Sequence, residues 1–202
     1  MNISRNFVIA VLMTIVTTVL LGLVYPLVVT GLAQALFHDK ANGQLIVRNG
    51  KTVGSRIIGQ AFSSAGYFRP RPSAAGTGYD AANSAGTNMG PTNKKLIDSV
   101  KAAVAAARAE NASSPVPIDL VTSSASGLDP HISPAAALFQ VPRVARERGV
   151  PEADIRQLVE AQVEGRQLGF FGEPVVNVLE LNLALDDQHP GKVQPPMTNS
   201  RQ

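Results

Sequence analysis

The residues best suited to chemistry lie together in one short segment, SASGLDPHIS, and comprise three serines, an aspartate and a histidine: Ser124, Ser126, Asp129, His131 and Ser133. Hydrolysis would need a serine, the histidine and an acid to converge in space, and closeness along the chain does not ensure this. The chain has no G-x-S-x-G motif. An Asp-Pro pair is a common turn element, and Ser133 is explained as a helix cap. The segment therefore favours a structural role over catalysis.

Residues that bind metals are sparse. The chain has no cysteine, which excludes disulfides, thiolate catalysis and cysteine-ligated metals. No two of its three histidines, His38, His131 and His189, have the spacing of metal ligands. The sequence predicts no metal site.

A nucleotide site is harder to exclude, because main-chain amides at the start of the helix predicted from Pro134 could hold an anion. Every capped helix offers such amides, however. The GSRIIGQ segment at residues 54–60 lacks the lysine followed by Ser or Thr with which a phosphate loop holds phosphate and magnesium. The phosphorylated DKTGT motif of P-type pumps is also missing. The chain is not expected to hydrolyse ATP by itself.

The charge of the chain is low and evenly spread. The 202 residues carry a formal net charge of +3, with few aromatic residues and no run of lysine or arginine. Nucleic-acid binding has no support in such a composition.

An apolar run fixes the class of protein. From Asn6 to Phe37 there is no charged side chain, and about 20 apolar residues suffice for a helix to cross a bilayer. A cleaved signal peptide is the rival interpretation, with Arg5 as its positive end and Ala33-Gln34-Ala35 as its cleavage site, although the run is long for one. A span without ionisable residues cannot itself carry ions in the usual way. We therefore expect it to support a pathway built by other chains.

The span has small residues at every fourth position. Thr14, Thr18 and Gly22 would let another helix approach closely and would mark a docking face. Such residues are also simply common in membrane helices, and this alternative remains open. The charges flanking the span do not settle its orientation.

The rest of the chain predicts one α+β domain. Asn49-Gly50 indicates a β-hairpin, and the segment from Ser63 to Asn93 is either a flexible linker or an ordered irregular loop. A helix capped by Thr92 or Asn93 is predicted to end near Glu110-Asn111, and a strand is predicted at 118–122. The apolar face of that helix is expected to comprise Leu96, Ile97, Val100, Val104 and Ala107. Ser133 should cap a helix that Pro142 interrupts and Gly149 ends.

Two further elements are expected before the tail. One is a helix from Pro151 to about Val163. The other, PVVNVLELNLALDD, is a strand or a helix, and Pro174 favours a helix start. The predicted organisation is a short N-terminal end at 1–6, a membrane helix at 7–30, a single domain at 31–187 and a disordered tail at 188–202.

Four motifs, in order along the chain, resemble one family. They are IIGQAFSSAGYFRPRPSAA, SAGTNMGPTNKKL, VTSSASGLDPHISPAAALFQVPRVARERG and GEPVVNVLELNLALD. Behind a single N-terminal span, they resemble the C subunits of the bacterial Kdp-type potassium-transporting P-type ATPase over about residues 7–187.

The resemblance implies an accessory subunit in the bacterial inner membrane, with its amino terminus in the cytoplasm and its domain outside. The implied partners are a potassium-channel-like subunit, an ATP-hydrolysing subunit and the lipid bilayer. The family is described as a catalytic chaperone that raises the affinity of the pump for ATP. No cofactor is expected to bind firmly, and ATP would be encountered only through the complex.

The positions that the resemblance carries over as candidate nucleotide contacts are Ser124, Ser126, Gly127, Asp129, His131 and Gln140. A domain outside the cell is separated from ATP, so its effect on ATP affinity would be indirect, through the conformation of the pump. Two alternative functions remain open from the sequence: a membrane-anchored hydrolase and a cleaved, secreted binding protein.

Overall fold

The structure is a computed structural model that describes residues 2–191. The described residues form two compact units, 2–45 and 46–191. The expected tail, 188–202, lies outside the described residues from 192 onward.

The N-terminal unit is built on one continuous helix of 34 residues, Ile3–Leu36, which is long and apolar enough to cross a membrane. It consists of α1 (Ile3–Val19), a π-helical turn (Leu20–Val24) and α2 (Tyr25–Leu36), and none of its residues is buried. A short helix, α3 (His38–Ala41), follows. The predicted single apolar helix is confirmed.

Proline explains where the helix changes its winding. Pro26 has no N–H to donate to the carbonyl of Gly22, and its ring would collide with that carbonyl in a regular α-helix. The backbone widens into the π-turn, Leu20–Val24, just before the proline. The irregularity therefore lies one turn before Pro26.

The second unit begins with a β-hairpin and ends in a helix. Its elements are β1 (Leu45–Arg48, which starts at the last residue of the first unit), β2 (Lys51–Ser55), α4 (Lys94–Glu110), β3 (His131–Ile132), α5 (Pro134–Arg148), α6 (Glu152–Ala161), β4 (Val163–Glu164), β5 (Val175–Asn177) and α7 (Val178–Gln188). Single 3-10 turns occur at Ala81–Asn83 and Ile118–Leu120. The hairpin prediction is confirmed, with positive φ at Asn49 and Gly50, 51° and 74°.

The core of this unit lies between a small sheet and three helices. Strands β3, β5 and β4 pair antiparallel in that order, and helices α5, α6 and α7 supply most of the buried side chains. The largest fully buried apolar residues are Tyr67, Phe68, Ile132, Val141, Val144, Ile155, Val159, Val176, Val178, Leu181 and Leu185. The mixture of helices and sheet confirms the α+β class.

The segment from Ser63 to Asn93 is an ordered loop, and the flexible-linker alternative is wrong. Tyr67, Phe68 and Ala75 are at most 1% exposed. Within the loop, an added Cβ at Gly86 would lie 2.8 Å from the carbonyl oxygen of Ala125, so another main chain passes close to it there.

The strand predicted at 118–122 is wrong. Ile118–Leu120 forms a 3-10 turn instead, in which the hydroxyl of Thr122 donates to the carbonyl of Ile118 at 2.8 Å. Such local side-chain bonds compete with strand pairing. The side chain of Asp119 then points to the start of α5, as shown below.

The predicted interruption at Pro142 is also wrong, because α5 runs unbroken from Pro134 to Arg148. Pro142 has no N–H to donate within the helix, and the cost of this missing hydrogen bond is offset by the burial of neighbouring side chains. Val141 and Val144 are both fully buried. The predicted ends are confirmed: Ser133 caps α5 through the N–H of Ala136 at 3.1 Å, and Gly149 ends it in the left-handed conformation.

The segment PVVNVLELNLALDD, predicted as either a strand or a helix, contains both. Val175–Asn177 is the central strand of the sheet, and α7 begins only at Val178. A helix start at Pro174 is therefore wrong: the side chain of Asn177 accepts from the N–H of Glu180 at 3.2 Å and caps the helix there. The helix predicted from Pro151 is confirmed as α6.

Helix α4 is confirmed with Asn93 as its cap, which accepts from the N–H of Lys95 at 2.9 Å. Its expected apolar face, Leu96, Ile97, Val100, Val104 and Ala107, is only partly covered, and no residue of α4 is buried.

Candidate functional site

The loop before α5 is closed by its own hydrogen bonds. The hydroxyl of Ser126 accepts from the N–H of Leu128 at 3.1 Å and lies 3.4 Å from the hydroxyl of Ser124. The carbonyl of Ser126 accepts from the N–H of Ala85 at 3.0 Å. These two serines shape the loop and bind it to the segment that precedes α4.

Gly127 lies where other main chains approach very closely. Its φ is +68°, and an added Cβ would lie 2.6 Å from the nitrogen of Ala75 and 2.7 Å from the carbonyl oxygen of Ala85. Its own carbonyl accepts from the hydroxyl of Ser73 at 2.6 Å. Only glycine fits this position without displacing the backbone.

Asp129 joins the loop to an arginine and to the next strand. Its carboxylate accepts from Nη1 of Arg71 at 3.3 Å and from the N–H of His131 at 3.0 Å. The imidazole Nδ1 of His131 lies 3.7 Å from the same carboxylate. Asp129 and His131 are each about one-third exposed and reachable from water.

The start of α5 depends on a residue that the sequence did not single out. Asp119 accepts from the N–H of Ser133 at 2.6 Å and from its hydroxyl at 3.2 Å. Ser133 therefore caps α5 while Asp119 orients the cap. A carboxylate near a helix N-terminus also complements the helix dipole, and it would repel an anionic ligand at these amides.

The side chain of Gln140 is only 2% exposed. Its Oε1 accepts from the N–H of Arg69 at 2.8 Å, and its Nε2 donates to the carbonyl of Arg69 at 3.0 Å and to that of Ala136 at 3.2 Å. Oε1 also accepts from Arg143 at 2.7 Å. The amide is fully occupied inside the domain.

Arg143 and Glu110 complete this buried network and were missed by sequence reasoning. Nε of Arg143 donates to Glu110 at 2.5 Å, and its Nη1 donates to the carbonyls of Ala65 and Tyr67. Burial lowers the pKa of Arg143, and the carboxylate of Glu110 opposes that shift. Spacing could not have revealed the pair, because its members lie 33 residues apart.

The structure does not gather the predicted site residues into one cavity. Asp129 and His131 line a cavity with Arg71, Asp119, Ser133 and Glu173. Gln140 lines another, beside Arg69, Tyr79 and Glu110. The loop residues Ser124, Ser126 and Gly127 line neither. Nucleotide contact at these positions stays a prediction.

Within residues 2–191, the structure shows no side-chain arrangement suited to hydrolysis or to metal binding. No hydrogen bond joins His131 to a serine hydroxyl within that range, although a hydrolase would need such a bond. The same range holds no group of three or more His, Cys, Asp or Glu residues that could bind a metal ion.

The small-residue stripe of the N-terminal helix is fully exposed. The hydroxyl of Thr14 donates to the carbonyl of Ala10 at 2.9 Å, whereas that of Thr18 bonds to no acceptor within the described residues. Gly22 lies in the π-turn, where an added Cβ would meet only the side chain of Thr18, at 3.9 Å. The stripe thus leaves one hydroxyl and one open backbone position for a neighbouring helix.

Comparison with known proteins is consistent over almost the whole chain. A family model described as "K+-transporting ATPase, c chain" matches residues 7–187. A protein of Koribacter versatilis (strain Ellin345) named potassium-transporting ATPase KdpC subunit is 64% identical over 187 residues, which are 93% of this chain and 97% of that protein.

Proteins of the same name in two other bacteria are also similar. That of Acidobacterium capsulatum is 57% identical over 180 residues, 89% of this chain and 97% of the relative. That of Caulobacter vibrioides (strain NA1000 / CB15N) is 60% identical over 174 residues, 86% of this chain and 88% of the relative.

Proposed function

The chain belongs to the KdpC family of K+-transporting ATPase subunits, and from this premise we propose that it is a non-catalytic accessory subunit of an ATP-driven potassium uptake pump. It is anchored in the bacterial inner membrane by Ile3–Leu36, with its domain outside. It stabilises the complex and acts as a catalytic chaperone that raises the affinity of the pump for ATP.

One observation supports the non-catalytic role. The side chains carried over as candidate nucleotide contacts are engaged within the domain: Gln140 binds Arg69, Asp129 binds Arg71, and Ser126 closes its own loop. Gln140 is the buried one of the three, and using its amide for a ligand would leave its present partners unpaired at about 1–3 kcal/mol for each buried group.

The anchor supports a role beside an ion path and not within it. The stretch from Asn6 to Phe37 has no charged side chain, and intramembrane ion paths are generally lined by polar or ionisable groups. Potassium would therefore pass through a channel-like partner subunit, and a further subunit would hydrolyse ATP. The stripe of Thr14, Thr18 and Gly22 is the face we assign to helix docking.

An effect on ATP affinity from outside the cell must be allosteric. A domain that binds one conformation of the pump better than another shifts the pump towards that conformation. A coupling free energy of about 1–3 kcal/mol would change ATP affinity about 5- to 150-fold. This range is reached by ordinary protein contacts, without any nucleotide on this chain.

The test is to purify the pump with wild-type chain, with a Thr18→Leu, Gly22→Leu double variant, or without the chain. We expect the wild-type chain to co-purify and to lower the KM for ATP, and the double variant to be recovered in smaller amount. Val16→Phe is the matched control, because Val16 lies two residues from both Thr14 and Thr18 and so on the opposite side of α1. Equal KM with and without the chain would refute the chaperone role.

Orientation has its own experiment. Protease added to intact right-side-out spheroplasts should digest the domain and leave the membrane helix. If the domain is protected while a periplasmic control protein is cut, the domain is cytoplasmic, and direct contact with ATP becomes the better hypothesis. Sequencing the amino terminus separates the anchored chain from a secreted product that begins at Leu36.

A further inference from the structure

Between β4 and β5 the chain exposes three large apolar side chains within four residues. Leu168, Phe170 and Phe171 are 83%, 64% and 56% exposed. We call the segment Leu168–Phe171 the apolar tip. Isolated apolar residues on a surface need no explanation, but a cluster of this kind indicates an interaction site.

The backbone of the apolar tip is fixed by hydrogen bonds. Gln167 and Phe171 exchange two main-chain hydrogen bonds, both of 2.9 Å. Leu168 has a φ of +53° and Gly169 one of +82°, and the rings of Phe170 and Phe171 pack with their centroids 4.2 Å apart. A leucine in the left-handed region is unfavourable by itself, so the turn holds it in a presented conformation.

The charges around the apolar tip indicate the kind of surface it fits. No residue from Gln167 to Gly172 is charged, and at the base Arg166 is paired with Glu173 at 2.8 Å. The paired arginine leaves no excess positive charge to attract anionic lipid headgroups. Because the apolar tip is rigid and uncharged, it suits an uncharged apolar pocket in a protein. A preorganised side chain loses little entropy when it binds in such a pocket.

The small size of the apolar tip limits the kind of partner that it can bind stably. A stable contact between freely diffusing proteins buries about 800 Å² on each side, more than three side chains can supply. A partner in the same membrane needs less, since residues 37–44 tether the domain to its membrane helix and raise the effective concentration.

We propose that the apolar tip inserts into an uncharged apolar pocket of a membrane-embedded subunit of the same ATPase, on the side of the membrane where this domain lies. This inference rests on the proposed function, because it requires that the chain assemble with such a subunit. It adds the surface of the domain that makes the contact.

Cysteine labelling tests the contact directly, because the chain has no cysteine of its own. The full chain with Leu168→Cys is reacted with a maleimide-polymer reagent, first alone in lipid nanodiscs and then in the purified complex. The shift of this chain on a gel separates it from the other subunits. Ile118→Cys is the matched control, since Ile118 is 74% exposed in a different part of the same unit.

We expect Cys at position 168 to react about tenfold or more slowly in the complex than in nanodiscs, because a docked thiol is removed from water. The control should react equally in both. Equal rates at 168, with co-purification intact, would overturn the docking of the apolar tip and leave the accessory role standing. Slow labelling already in nanodiscs would overturn it in favour of the bilayer, and failure to co-purify would count against both proposals.

Discussion

The side-chain amide of Gln140 holds both main-chain polar groups of Arg69, at 2.8 Å to its nitrogen and 3.0 Å to its carbonyl oxygen. Asn182 does the same for the preceding residue, Phe68, at 2.8 and 2.9 Å. Both amides are at most 2% exposed. The long loop is therefore tied to α5 and to α7 by two equivalent contacts.

This equivalence separates a structural role of Gln140 from a nucleotide-binding one. Gln140→Leu and Asn182→Leu should each lower the free energy of unfolding by about 2–4 kcal/mol, because each leaves a main-chain N–H and carbonyl without their side-chain partners, part-buried at Arg69 and buried at Phe68. Tyrosine fluorescence of the full chain in detergent during urea unfolding measures this, since there is no tryptophan and two of the three tyrosines, Tyr67 and Tyr79, lie in the second unit.

The two variants should also act alike on the pump. When equal amounts of folded, assembled subunit are compared, both should leave the KM for ATP near the wild-type value. A rise in KM with Gln140→Leu and not with Asn182→Leu would mean that Gln140 contacts nucleotide, as the resemblance implies.

Gly127 and Gly149 offer a second matched pair, since their φ values are nearly the same, +68° and +70°. Gly149→Ala meets open space and should cost about 1–2 kcal/mol of stability for the left-handed backbone alone. Gly127→Ala adds a collision with the backbone of Ala75 and Ala85, so a further cost of about 1–3 kcal/mol is expected. Equal urea midpoints for the two variants would show that the loops near Gly127 can move apart.

Local signals in the sequence predicted the fold well where one short segment decides the outcome. The turn at Asn49-Gly50 and the caps at Asn93 and Ser133 depend on neighbours within three residues. The sequence failed where a distant partner decides. Pro142 stays helical because α5 is buried on both sides of it, and the strand at Val175 exists because β3 and β4 flank it.

The candidate site shows the same limit. Ser133 was identified as a cap from its place before Pro134, but Asp119, which orients it, comes from a turn 14 residues earlier. Gln140 was singled out through a resemblance, whereas its hydrogen-bond partner lies 71 residues away. A buried amide and a buried arginine have no periodicity of their own that would reveal their partners.

The ion pair of Arg143 and Glu110 should contribute far more than an exposed pair on the same helix. Glu110→Gln removes the charge opposite a guanidinium that is 5% exposed, and the free energy of unfolding should fall by about 2–4 kcal/mol. Asp98→Asn is the control, because Asp98 and Lys94 are both largely exposed. The control should cost no more than about 0.5 kcal/mol. Similar losses in urea unfolding would mean that water reaches Arg143.

The pair of Arg48 and Asp187 predicts a dependence of stability on pH. Nη1 and Nη2 of Arg48 each donate to one carboxylate oxygen of Asp187 at 2.7 Å, and this contact lowers the pKa of Asp187 in the folded chain. Its contribution is therefore complete above the unfolded pKa, about 3.9, and is lost as the pH falls through the lower folded value.

Wild type and Arg48→Gln should accordingly differ at neutral pH and converge in acid. Because the pair is largely exposed, with 37% and 58% of the two side chains accessible, the difference at pH 7 should be about 0.2–1 kcal/mol. Urea unfolding of the full chain in detergent at about pH 7, 5 and 2.5 brackets the unfolded pKa. Arg146→Gln is the control for loss of an exposed cation, since Arg146 has only a 3.6 Å contact with Glu147. A difference for Arg48→Gln that persists undiminished at the lowest pH would show that the arginine stabilises the chain through its packing and not through Asp187.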